Sequence, residues 1–204
     1  MVNSKLDTSD HTHEGEWAPF TTSLAICLSQ LRTNQYLVLH LRNRPLRFVQ
    51  FAQAGSAGFR AESVSNYYLR EADRLTPEDE SSLSALGWHR PVDPNDMTIE
   101  GPSNWYMSWS APAPFSEVAK LAVNTLTVVH QAQLPTDLSY RAFDHEGTEA
   151  SFPILGIAQY VPSLTYEIQT RRPLGGPVGE ALASSNGQRE RLVENILNRL
   201  DQGE

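Results

Sequence analysis

The chain is poor in cysteine, poor in basic residues and free of long apolar runs. A single thiol, Cys27, stands among 204 residues. No internal disulfide can form from it and no thiolate cluster can be built, which favours a reducing, cytoplasmic setting. Lys and Arg number 16 against 24 Asp and Glu, for a formal charge of −8. That balance argues against a face basic enough to meet nucleic-acid phosphates, and it suits solubility or a basic partner. No stretch approaches the roughly 20 apolar residues of a membrane span. Residues 1–16 are polar and acidic, which predicts no signal peptide, and no internal repeat is visible.

The informative stretch is residues 36–66. In 36–41, Leu37, Leu39 and Leu41 alternate with Tyr36, Val38 and His40. In 48–53, Val49 and Phe51 alternate with Phe48, Gln50 and Ala52, and 59–64 forms a third such run. Alternation with period two between turn signals predicts a half-buried sheet. The connection Asn43-Arg44-Pro45-Leu46 is short enough to make the first two runs antiparallel neighbours. Ala54-Gly55-Ser56-Ala57-Gly58 imitates a nucleophile elbow, but an elbow needs a helix downstream and the next run reads as a strand. It is taken as a hairpin loop with glycine at both ends.

Helices flank this meander. Phe20, Leu24, Leu28 and Leu31 fall at helical spacing with Cys27 beside them, and Thr21, Thr22 and Ser23 are candidate caps. Cys27 reads as a core side chain, since nothing nearby in sequence would lower its pKa. Thr76-Pro77-Glu78-Asp79 opens a second helix as a capping box with proline at the first helical position, and Gly87 closes it before Trp88. Residues 89–103 carry three prolines and read as a loop. A strand follows at 104–110, with Trp105, Met107 and Trp109 on one face and Tyr106 on the other. A long helix is expected over 115–131, where His130 would suit the negative end. Residues 138–143 read as a short strand, and 151–170 have mixed periodicity.

The fold class expected is α+β, an antiparallel sheet with helices packed on one face. The boundaries expected are a flexible tail at 1–16, a domain at 17–145, an extension of it at 146–170, a linker at 171–187 and an amphipathic helix at 188–202. His11-Thr12-His13-Glu14 reads as solvated tail rather than as a metal clamp.

Leu37, Leu39, Leu41, Val49, Phe51, Trp105, Met107 and Trp109 would face the helices. The opposite face would carry Tyr36, Val38, His40, Phe48, Gln50, Arg60, Glu62 and Tyr106, a mixed surface of the kind that receives partners. Tyr36, Val38, Phe48, Gln50, Arg60, Glu62 and Tyr106 are the candidate partner-binding residues. The competing reading is that residues 151–204 fold over that face. For catalysis the candidates are the scattered His40, His89, His130 and Glu62, with no signature joining them, so no catalytic residue, metal or cofactor is assigned.

The order of elements, with Arg47-Phe48-Val49-Gln50-Phe51-Ala52, Ala61-Glu62-Ser63-Val64-Ser65-Asn66, Leu75-Thr76-Pro77-Glu78, Leu86-Gly87-Trp88 and Asn104-Trp105, resembles the type III secretion chaperone and YbjN-like peptide-binding chaperones. The similarity covers residues 20–144 and points to the actinobacterial branch called TY-Chap. It implies a type III secretion chaperone-like two-layer sandwich that binds a protein or peptide without catalysis. A homodimer is compatible with it; nucleic acid and membrane are not the expected partners. The rival functions are an immunity-type antagonist that occludes one toxin or effector, and an enzyme.

Overall fold

The computed structural model describes residues 10–55, 58–91 and 104–160. At its centre the three alternating runs form strands β1 (Gln35–Leu41), β2 (Phe48–Gln53) and β3 (Phe59–Ser63), paired antiparallel in chain order. β4 (Trp105–Trp109) adds beyond β3, and β5 (Leu138–Asp144) pairs with β1 on the other side. Two short strands, β6 (Glu149–Ala150) and β7 (Ala158–Gln159), line the outer edge of β5, the latter parallel. The order is β4-β3-β2-β1-β5-β6, so β4 is one lateral edge. Between β2 and β3, Gly55 and Gly58 both hold positive φ. At Gly58 a Cβ would sit 2.1 Å from the Trp109 carbonyl oxygen, so no side chain fits where the loop passes β4.

Three helices pack on the face of Leu37, Leu39, Val49 and Phe51, all buried. α1 (Asp10–Gln30) buries Trp17, Phe20, Leu24, Cys27 and Leu28. It begins within the stretch read as a tail and runs through Pro19. The threonines expected as caps bond back one turn instead, Thr21 Oγ1 to the Trp17 carbonyl at 2.7 Å and Thr22 Oγ1 to that of Ala18 at 3.1 Å. Asn34 ends the connection to β1 in the left-handed region (φ 61°).

α2 (Pro77–Ala85) follows its sequence signals closely. Thr76 and Asp79 make both bonds of the capping box. At the other end the Gly87 amide donates to Ser84 and the Trp88 amide to Leu83, with Gly87 at φ 95°, the Schellman arrangement. The chain before α2 is clamped by Asn66, whose amide bonds both the N–H and the C=O of Leu75.

α3 (Phe115–Asn124) is amphipathic and buries Val118, Ala119, Ala122 and Val123. Beyond it the expected helix changes pitch: residues Thr125–Val129 form a π turn, and the His130 amide donates to the Thr125 carbonyl. The linker and C-terminal helix expected at 171–187 and 188–202 lie outside the described residues, as does most of the loop at 89–103.

Candidate functional site

The second face of the sheet is built by register. Arg141, Val38, Gln50, Glu62 and Tyr106 stand directly opposite one another on β5, β1, β2, β3 and β4, so they form one row across the sheet. The flanking row on one side carries Phe143, Tyr36, Ala52, Arg60 and Ser108; on the other side lie Ser139, His40 and Phe48. All seven residues expected at a partner surface therefore share this face.

Glu62 is the hub of the row. Its carboxylate accepts from Gln50 Nε2 at 2.6 Å, Arg60 Nε at 2.6 Å and Asn104 Nδ2 at 3.1 Å. Asn104 in turn accepts from the Ser65 amide through Oδ1, tying the start of β4 to the end of β3. The Arg60 guanidinium also covers the Tyr106 ring at 4.4 Å, a cation–π contact. Arg141 is paired with Glu149 at 3.0 Å and lies over Phe143. Gln50 Oε1, Ser139 Oγ and Arg141 Nη2 are buried without hydrogen-bond partners, and each such group costs about 1–3 kcal/mol.

The face is not the open surface the alternation suggested. Val38 and Gln50 are 0 % exposed, Phe48 2 %, Glu62 3 % and Tyr36 7 %. Of the seven, only Arg60 and Tyr106, at the β4 end, remain half-buried. Alternation reports which side a residue takes and carries no information on whether that side is covered.

The histidines and Glu62 do not converge. His40 stands on the second face, half-buried, with Nδ1 2.9 Å from the Pro45 carbonyl and its ring stacked on Tyr160 at 4.6 Å; burial pushes its pKa down to about 4. His89 is held through its backbone against Tyr106. His130 lies across the sheet, on the helix face, where Nε2 meets Ser63 Oγ at 3.0 Å. This serine–histidine pair lacks the orienting third group of a triad: both residues are buried, and His130 Nδ1 has no hydrogen-bond partner. Burial first, and then the neighbouring Arg47 charge, push the His130 pKa down to about 3. His130 does end the helical stretch, as expected, but burial keeps it neutral, so it brings no positive charge to that end. Cys27 is likewise buried, with its thiol pushed up to about 11, as befits a core side chain. Among the described residues no group of three His, Cys, Asp or Glu is placed to hold a metal, and no helix is long and apolar enough to cross a membrane.

His130 gives a pH dependence with a definite sign. The unfolded chain takes up its proton near pH 6.5, whereas the folded state resists it until about pH 3. Stability is full above the upper value and is expected to fall by on the order of 1.4 kcal/mol per pH unit within that window. Urea melts at pH 7, 5.5 and 4.5 measure this; His40, whose pKa burial also lowers, adds a slope of the same sign, so His130→Gln should remove about half of the total. An unchanged slope in that variant would show that His130 is not the group responsible.

A family model, TY-Chap3, described as "T3SS (YopN, CesT) and YbjN peptide-binding chaperone 3", matches residues 10–144. Those limits are the first residue of α1 and the last of β5. No curated protein and no solved structure matches the chain.

Proposed function

The chain belongs to this family of peptide-binding chaperones, and from that premise we propose a non-catalytic adaptor that takes an extended protein segment along the outer edge of β4. One observation carries the reading. Tyr106 exchanges both outward backbone bonds with His89, at 2.9 and 3.1 Å, and two residues on, Ser108 points the same way. Ser108 is exposed, and among the described residues its outward N–H and C=O meet no strand. An unpaired edge of this kind is completed by an added strand, whose backbone supplies affinity while side-chain contacts supply selection.

The added strand would have different neighbours on its two sides. Half-buried Met107 and Trp109 border the helix-face side and favour apolar residues. Arg60 and Tyr106 border the other, and the negative charge of the chain steers basic segments in. Of the seven residues expected at the site, Arg60 and Tyr106 are thus assigned contact with the partner. Tyr36, Val38, Phe48, Gln50 and Glu62 are assigned to holding the sheet beneath them. A buried lone cysteine fits a cytoplasmic setting for this work.

Ser108→Pro tests the proposal by removing the outward donor at an edge position that tolerates proline. Peptides selected from a random library by the unaltered chain are expected to bind the variant about tenfold or more weakly, with little shift in its melting temperature. Undiminished affinity would rule the edge out. Selection of many related peptides supports a general adaptor, whereas one tight protein partner would mark the narrower antagonist. Loss of a concentration-dependent dimer in the variant would show instead that the edge pairs with a second copy.

A further inference from the structure

From the second face we infer a docking surface for the chain's own C-terminal segment, residues 161–204, which partners meet only at its β4 margin. Three observations lead there. First, Tyr36, Val38, Phe48 and Phe143 are buried on this face although the three helices all pack on the other. Second, the described chain ends on this face. The Tyr160 amide donates to the Tyr140 carbonyl beside β5, and its ring stacks on His40, in the row next to Val38. The segment that follows is thereby tethered at the margin of the surface, and tethering gives it a high effective concentration there. Third, its sequence offers a matching surface. Leu192, Val193, Ile196, Leu197 and Leu200 recur at helical spacing, with Glu194, Asn195, Asn198 and Arg199 between them.

Gln50 Oε1, Ser139 Oγ and Arg141 Nη2 are buried yet unpartnered, so this face is covered but imperfectly matched in its polar groups. The inference stands apart from the pairing of a partner with β4, since the two use different surfaces and different bonds.

Cross-linking of the full chain tests it. In a Cys27→Ala background, Val38→Cys is combined in turn with cysteine replacements of Leu192, Ile196, Asn195 and Asn198, and mild oxidation is applied at high dilution. An intrachain disulfide is expected at 192 or 196, with little at 195 or 198. Links at all four positions, at none, or only between two chains would overturn the inference. Labelling of Val38→Cys alone by a maleimide provides a second measurement in case a double variant fails to fold. The full chain should protect this thiol, and a Leu192→Asp/Ile196→Asp variant should label about tenfold faster or more. Ala61→Cys, on the helix face, should stay protected in that variant and so report that the domain is intact. Rapid labelling of Val38→Cys in the otherwise unaltered chain, or protection that survives the charged variant, would remove the C-terminal segment from this face.

Discussion

Trp88→Ala is expected to lower stability by about 3–5 kcal/mol, the range for deleting a buried tryptophan. The residue is 4 % exposed and lies where α2 ends, with its amide closing the helix on the Leu83 carbonyl. Its indole Nε1 donates to Thr125 Oγ1 at 2.9 Å, across to the start of the π turn. The ring therefore joins α2 to the end of α3, two elements that have no sequence contact. Thr125 keeps its own bond to the Leu121 carbonyl in the variant, so the loss is mainly cavity and packing rather than an orphaned hydroxyl. Trp88→Phe, which fills part of the space, should recover more than half of it. Urea melts followed by circular dichroism decide the matter. A loss below 1 kcal/mol for the alanine variant would mean that α2 is not locked to the domain through this ring.

A loss of similar size, about 3–5 kcal/mol, is expected for Arg47→Met, which keeps the stem and removes the charge. The guanidinium is 4 % exposed and donates to three carbonyls, those of Asp73 at 3.0 Å, Val129 at 3.2 Å and Arg74 at 2.7 Å. It also lies 3.6 Å from Asp79 Oδ2, the oxygen that closes the capping box of α2. Burial lowers the Arg47 pKa from its ordinary value, yet a guanidinium stays charged at any working pH. Removing it leaves a buried carboxylate and three carbonyls without their donor. Arg47→Lys should restore little, since one ammonium cannot reach carbonyls on two separate segments. If lysine restored the stability of the unaltered chain, a simple charge would be doing what is here ascribed to the planar fork.

Sequence and structure divide along physical lines. The side each strand residue takes was legible, because a two-residue period is a property of the backbone and needs no knowledge of neighbours. Leu37 and Phe51 on one face and Val38 and Gln50 on the other follow from it. So do the ends of α2, since the Thr76–Asp79 box and Gly87 act within a few residues of chain. The membership of β5 in the sheet was not legible, because its pairing with β1 joins residues about a hundred positions apart.

The candidate site shows the same division. Sequence alone brought Tyr36, Val38, Phe48, Gln50, Arg60, Glu62 and Tyr106 to one face, and the resemblance it carried led to the family. Only the tertiary structure decided which of them are buried and which stay half-exposed, because burial depends on what lies above a surface and alternation describes only the surface itself. It also decided that His130 is a neutral core residue, since a π turn shifts a side chain around the helix axis without leaving any mark in the spacing of apolar residues. The edge of β4 belongs to the same class. A strand is an edge only by virtue of its place in the sheet order, and that order is fixed by long-range pairing.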